Sequence, residues 1–424
     1  MSANRTISRR RVVITGFGAI TNIGHNANSC WESIIASRSG IAPLTAFEQG
    51  DDWTVTICGE IKDLASATAG VVDPSEAKRM DRMSVLALCA GAEAARHSGL
   101  DFSQGDPYSR GVAIGSGIGG VITMEEQFEK LLLQGPRKVS PFTVPKLMVN
   151  AAAGNLSIML NIRGSNTATA TACASGAHSI GAAYHLIERG DADVMIAGGT
   201  EAPITKLPLS AFAKMRALST RNDDPEKASR PFDTERDGFV LAEGAGMVML
   251  EDLEHAKARG ANILVELIGF GSTGDAGHIA APDEDGSGAY EAMRRALKEA
   301  DLDLGDVDYI NAHGTSTPLG DAAEVTAVKR LFGDHANSLM VSSTKSMTGH
   351  TPGAAGGLET VFTAQSILEN TAPPTINLDE PGEGMDLDFV ANEPRDHPIK
   401  VAINNSFGFG GHNVSLVMKA YEGD

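Results

Sequence analysis

Val12-Val13-Ile14-Thr15-Gly16-Phe17-Gly18 is an apolar run closing on glycines, and Leu264-Val265-Glu266-Leu267-Ile268-Gly269-Phe270-Gly271 repeats it about 250 residues later. Each reads as a buried strand running into a glycine turn, so the chain is expected to consist of two similar halves. Between the two runs, Gly111-Val112-Ala113-Ile114-Gly115 and Val194-Met195-Ile196-Ala197-Gly198-Gly199 are further strand-then-glycine segments, and 84–97 carries a helical pattern. In the second half, 307–312 and 401–405 fall in comparable places, separated by helical stretches at 288–300 and 322–331. Strands alternating with helices predict an α/β chain with two mostly parallel, buried sheets. The charged segment 251–259, ending at Gly260, is the expected joint and divides the chain into 1–258 and 259–424.

Composition narrows the function. The chain has 424 residues, 42% apolar and 21% charged, enough to bury a large core. Aromatic residues make up only 5%, too few for a base-stacking platform, and a net charge of −19 repels polyanions, so no nucleic-acid partner is expected. Against that acidic background stand basic clusters at Lys78-Arg79, Arg137-Lys138 and Arg216 with Arg221. Cys30, Cys58, Cys89 and Cys173 show neither C-x-x-C spacing nor a disulfide framework, which fits a reducing compartment. Segment 1–11 is polar and basic with no signal-length apolar run after it, and 18 consecutive apolar residues occur nowhere; a cytoplasmic protein without membrane insertion is expected.

Cys173 follows the small, β-prone stretch 167–172 and opens a helix-like run at 174–189. At a strand-to-helix junction, unpaired N–H groups and the helix dipole favour a thiolate. The neighbours Ala172, Ala174, Ser175, Gly176 and Ala177 are small enough to let a bulky substrate reach the sulfur. Far along the chain, 309–317 carries His313 from a strand end into a turn, and 342–350 is a polar loop holding Lys345 and His350. A cysteine with two such histidines suggests acyl chemistry. The glycine cluster 115–120 lacks the G-x-x-x-x-G-K-[ST] spacing of a phosphate cradle, and no i, i+4 histidine pair or carboxylate triad supports a metal at His313 and His350.

In order along the chain, Thr171-Ala172-Cys173-Ala174-Ser175-Gly176, Arg230-Pro231-Phe232-Asp233, Arg236-Asp237-Gly238-Phe239, Asn311-Ala312-His313-Gly314-Thr315, Lys345-Ser346-Met347-Thr348-Gly349-His350 and Asn405-Ser406-Phe407-Gly408-Phe409-Gly410-Gly411 resemble the β-ketoacyl-acyl-carrier-protein synthases of the thiolase superfamily. The resemblance runs over nearly the whole chain and is greatest to the elongating condensing enzymes of fatty acid synthesis. It implies a thiolase-like fold of two duplicated halves, layered α/β/α/β/α. It also implies an acyltransferase in which Cys173 takes an acyl chain as a thioester and a carbanion from malonyl-carrier protein extends it. The same resemblance assigns His313 and His350 to the malonyl thioester oxygen, and the N–H groups of Cys173 and Phe409 to the oxyanion on the cysteine side.

By that resemblance Lys345 and Glu359 organise the histidine pair, Phe409 with Phe407 forms the gate, Thr315 and Thr317 hold the pantetheine arm, and Ile118 lines the acyl pocket. Lys78, Arg79, Arg137, Lys138 and Arg216 match a docking face for acidic acyl carrier protein. No cofactor is implied beyond the phosphopantetheine arm that arrives on the carrier, and a homodimer is expected. The chain departs from the family pattern at Thr351-Pro352 after His350, at His412 and at Thr143. A thiolase would use a second cysteine, and none follows Cys173; an initiating condensing enzyme would use Cys-His-Asn. A ketosynthase of a polyketide or other specialised lipid pathway is the alternative the motifs leave open.

Overall fold

The computed structural model describes residues 9–423; positions 1–8 of the polar, basic start lie outside the described residues. One sheet is built from β1 (Val12–Thr21), β2 (Arg110–Gly115), β3 (Asn166–Thr167), β4 (Val194–Glu201), β5 (Gly244–Asp252), β6 (Val265–Gly274), β7 (Tyr309–Asn311), β8 (Met340–Ser342), β9 (Val401–Gly408) and β10 (His412–Ala420). Their order across the sheet is β3-β2-β4-β5-β1-β6-β10-β9-β7-β8. Adding five to each label of the first half gives the second half in mirrored order. Directions repeat as well: β1–β5 and β5–β4 are antiparallel while β4–β2 and β2–β3 are parallel, and β6–β10, β10–β9, β9–β7 and β7–β8 follow the same sequence.

Three expectations are corrected by this sheet. The two halves do not form separate sheets, because Val12, Val13 and Ile14 of β1 pair antiparallel with Leu267, Glu266 and Val265 of β6. Nor is the sheet mostly parallel, since each half folds its outermost-numbered strands back between the parallel set and the seam. The repeated glycines are not turns either, for β1 runs through Gly16 and Gly18, and β6 through Gly269 and Gly271.

What those glycines do is admit a helix. A Cβ on Gly16 or Gly18 would stand 2.4 Å from Ala94 O or 2.2 Å from Ala90 O of helix α1 (Arg82–Ser98). On Gly269 or Gly271 it would stand 2.3 Å from Ala296 O or 1.9 Å from Ala292 O of the helix Ser287–Ala300. Each outer helix therefore lies directly on its strand, in the same way in both halves.

The remaining helices needed here are α2 (Val121–Gln134), α3 (Ala151–Leu160), α4 (Ser175–Glu188), α5 (Lys206–Lys214), α6 (Ser287–Ala300), α7 (Pro318–Phe332) and α8 (Ala355–Glu369). Helices α4 and α8 pack on each other and touch strands of both halves, forming the middle layer; α1 with α3, and α6 with α7, cover the outer faces. Ile180 and Tyr184 of α4 meet Leu358 and Phe362 of α8 in the central core with Leu250 and Leu416. Burying one such side chain contributes about 1.5–3 kcal/mol. Helix α8 is buried continuously from Ala355 to Ile367, and its hydroxyls are satisfied within the helix: Thr360, Thr363 and Ser366 donate to the carbonyls of Gly356, Glu359 and Phe362. The segment 251–259 is a packed corner rather than a free linker, with Glu251 accepting from Thr15 and Arg259.

Candidate active site

Cys173 sits in a tight turn between β3 and α4. Ala172 before it takes φ +49°, a left-handed conformation costing about 1–2 kcal/mol for a residue with a Cβ. Ser175 Oγ secures the turn by accepting from the Thr171 N–H at 2.9 Å and donating to Ala172 O at 2.6 Å. Gly408 closes against it; a Cβ there would be 2.7 Å from Thr171 O and 3.0 Å from Cys173 N.

Burial dominates the thiol and pushes it up to about 12, although Lys345 and the backbone N–H groups of Phe409 and Cys173 all favour the thiolate. The expectation that the helix N-terminus alone would favour the thiolate is thus corrected for the resting site: desolvation outweighs it.

His313 follows β7, and its placement is fixed by its backbone. The N–H groups of His313 and Gly314 donate to Glu324 Oε1 and Oε2 at 2.9 and 2.8 Å. Glu324 projects from α7 and also accepts from Asn405 Nδ2 on β9 at 3.1 Å, while Asn405 Oδ1 accepts from Ser415 at 2.7 Å. His350 follows β8; its N–H donates to Val240 O and its carbonyl accepts from Ala242, both at 2.8 Å. Its ring meets Phe239 edge-on at 5.2 Å.

The two imidazoles stand 5.4 Å apart at 87°. Burial, reinforced by the Lys345 charge, holds both well below 6.5, so each is a neutral ring with one N–H to donate. Lys345 pairs with Glu359 of α8, both at most 2% exposed. Burial lifts Glu359 to about 7 against the pull of Lys345.

Cys173, His313 and His350 line one cavity of about 620 Å³ with Phe407, Phe409, Thr315, Thr317 and Ile118. Ile118 is 37% exposed and forms cavity wall rather than core. The Thr315 and Thr317 hydroxyls bond each other at 3.0 Å. Phe409 lies 6.4 Å from Phe212 of α5, and Phe407 5.7 Å from His313. Beyond Phe409, Gly410 and Gly411 take φ +86° and +72°, and the Gly410 N–H donates to Ile279 O at 2.7 Å.

Lys78, Arg79, Arg137, Lys138 and Arg216 are all exposed. Arg216 lines the cavity. Arg79 bonds Glu76 at 3.2 Å and lies over the Phe142 ring, while Lys78, Arg137 and Lys138 are outside the cavity lining. The His412 ring is 6.2 Å from His178, which burial and His412 lower to about 4. Thr143 donates to Ser140 O and does not reach the cavity; Pro352 lines it, and Thr351 O accepts from Ala354 and Ala355 to start α8.

Sequence reasoning passed over Glu324, Asp321 and Glu201. Asp321 accepts from the N–H groups of Phe232 and Ser316, holding the Arg230–Asp233 motif against the turn after His313. Acidic residues on the buried face of an amphipathic helix, as at 321 and 324, were the available signal.

Two family profiles match, "Beta-ketoacyl synthase, N-terminal domain" over residues 9–256 and "Beta-ketoacyl synthase, C-terminal domain" over 264–379. Among curated relatives, proteins named 3-oxoacyl-[acyl-carrier-protein] synthase 2 from Coxiella burnetii and Vibrio harveyi are 49% and 48% identical, over 97% of this chain and 99% of theirs. A beta-ketoacyl synthase from Burkholderia phymatum superposes with a TM-score of 0.89 at 34% identity, over 97% of this chain and all of that one. A ketosynthase described in complex with its type II PKS acyl-carrier protein and bound to the hexaketide gives 0.91 at 32%, with the same coverage.

Proposed function

The chain belongs to the beta-ketoacyl synthase family, and from that premise we propose that it elongates fatty acids by two carbons through decarboxylative condensation. Cys173 gives up its thiol proton, which ends on the departing pantetheine sulfur, and its sulfur attacks the thioester of an acyl-carrier protein. The tetrahedral oxyanion accepts from the N–H groups of Cys173 and Phe409, then collapses to expel the pantetheine thiolate and leave the acyl chain on sulfur. Malonyl-carrier protein next places its thioester oxygen between His313 and His350. Carbon dioxide leaves, the electron pair of the broken C–C bond forms an enolate, and the neutral imidazoles donate to its oxygen. The enolate carbon attacks the Cys173 thioester; collapse releases the cysteine thiolate and a 3-ketoacyl-carrier protein.

One observation carries this reading: two neutral imidazoles 5.4 Å apart share one cavity with a cysteine whose thiolate is favoured by Lys345 and by the backbone N–H groups of Phe409 and Cys173. Neutrality matters, because a donor must strengthen its bond as charge develops rather than bind the carboxylate as a fixed cation. Lys345 supplies the nearby positive charge that favours the thiolate and disfavours imidazolium, and Glu359 holds it in place. Identity near 49% to fatty acid enzymes, against 32% to the polyketide ketosynthase, favours the fatty acid pathway.

Thr315 and Thr317 bond the pantetheine amides, Phe409 with Phe407 gates the cavity, and the carrier docks on the basic residues, with Arg216 at the cavity wall. A homodimer is supported by the exposed apolar side chains Phe128, Leu132 and Leu133 on α2 and Ile158 on α3. A cytoplasmic site fits the four free cysteines; no helix of the described residues is long and apolar enough to cross a membrane.

Intact-protein mass spectrometry tests the reaction. Wild type incubated with medium- and long-chain acyl-carrier proteins gains the acyl mass and Cys173→Ala does not; malonyl-carrier protein then discharges the adduct as 3-ketoacyl product. Acyl transfer from coenzyme A thioesters with none from carrier protein would sink the fatty acid reading.

A further inference from the structure

Glu201 is the last residue of β4, is fully buried and takes no part in the cavity wall, yet its carboxylate joins two loops that do. Oε1 accepts from Ser116 Oγ at 2.8 Å and Ile118 N at 3.3 Å; Oε2 accepts from Gly117 N at 2.6 Å and Gly353 N at 2.9 Å. Four donors match the lone pairs of one carboxylate. Three belong to the loop after β2 that presents Ile118 to the cavity. The fourth belongs to the loop after β8 that carries His350 and Pro352.

These loops come from different halves and touch here: a Cβ on Gly353 would be 2.3 Å from Gly117 N and 2.4 Å from Glu201 Oε2. Ser116 extends the clamp by accepting from the Gly119 N–H at 3.0 Å. Among the described residues, no other side chain bonds the Gly353 N–H.

We propose that Glu201 is a positioning residue that couples the acyl-pocket loop of Ile118 to the His350 loop, so that chain-length preference and malonyl decarboxylation move together when it is altered. The inference rests on the condensing reaction assigned to this cavity. An acyl chain that displaces Ile118 pulls through one carboxylate on the loop that sets His350. Only an acceptor on both oxygens can hold this arrangement; a Gln amide would turn an NH2 toward N–H donors and leave some of them unpaired.

Two variants, Glu201→Gln and Ser116→Ala, are compared with wild type in two assays. One follows Cys173 acylation by medium- and long-chain acyl-carrier proteins, the other carbon dioxide release from malonyl-carrier protein without an acyl donor. The Gln variant should change the medium-to-long ratio and slow carbon dioxide release by about tenfold each, and Ser116→Ala should shift both in the same direction by about two- to threefold. A merely structural loss lowers the melting temperature and leaves the acyl ratio unchanged. A folded Gln variant that moves one readout or neither overturns the coupling; if that variant does not fold, Ser116→Ala decides by the same criterion. Wild type that neither acylates Cys173 nor releases carbon dioxide would overturn the condensing reaction itself, a result separable from failure of the clamp.

Discussion

The loops after β2 and β7 occupy equivalent places in the two halves, and each is caught by a buried glutamate accepting two successive backbone N–H groups. Glu201 takes Gly117 and Ile118; Glu324 takes His313 and Gly314. The first loop then presents an isoleucine to the cavity, the second an imidazole. Their glutamates also differ in where their spare capacity goes: Glu201 reaches across to Gly353 of the other half, Glu324 inward to Asn405 of its own. Beyond β3 and β8 the pattern repeats, with Cys173 leading into α4 and His350 into α8. The loops are equivalent but their glutamates are not, Glu201 ending strand β4 and Glu324 lying on helix α7, so the two halves reach the same backbone catch from different elements while the side chains presented diverge into acyl pocket, nucleophile and hydrogen-bond donors.

The largest effect should separate the halves by reaction step. Cys173→Ala is expected to abolish acylation and condensation, whereas His313→Ala should keep the acyl adduct and slow carbon dioxide release by about 10²–10⁴-fold, as measured by mass spectrometry and gas release. A His313 variant that also fails to acylate would break the division of labour.

Glu324→Gln sharpens it from the backbone side. Leaving a buried N–H unpaired beside His313 should cost about 1–3 kcal/mol of stability in denaturant melts and slow carbon dioxide release, with acylation of Cys173 kept within about twofold.

The protonation behaviour of the halves should diverge too. Because the resting thiol is raised to about 12, alkylation of Cys173 by iodoacetamide should climb about tenfold per pH unit without a plateau below pH 9. Lys345→Ala should slow it further. Both histidines are depressed, so carbon dioxide release should stay level as pH falls through 6.5. The unfolded chain binds protons on these histidines more readily than the folded one, so their contribution to stability is present above 6.5 and declines as pH drops below it.

The smallest effect concerns the shared scaffold. Gly16→Ala and Gly269→Ala press a methyl group onto a helix carbonyl in each half and should each cost about 1–3 kcal/mol in thermal unfolding, with kcat retained. Unequal costs would show that the halves have drifted apart in packing as well as in chemistry.

The paired apolar runs made the duplication legible before any coordinates, and the motif order brought Cys173, His313, His350 and Lys345 to one site. What the runs could not disclose was the purpose of their glycines. A turn and a close helix approach both require a missing Cβ, and local sequence does not distinguish them. The thiol of Cys173 was misjudged for a related reason: its helix-end environment is local, whereas the desolvation that overrides it comes from segments hundreds of residues away. Glu201 and Glu324 were silent because a buried acid satisfied by backbone N–H groups leaves no pattern around it except its presence on an otherwise apolar face.

The seam strand β1 has a consequence for how the chain is made. Thr15 of β1 bonds Glu251 of β5, 236 positions along. At a synthesis rate of about 5–20 residues per second, the first strand to leave the ribosome waits roughly 12–50 s for its earliest partner. Its second partner, β6, emerges immediately afterwards. Throughout that interval a glycine-notched apolar ribbon has two unpaired edges, the kind of surface that seeks strands from other chains. A nascent chain halted before residue 252 should therefore depend on a holding chaperone more than the full-length chain does.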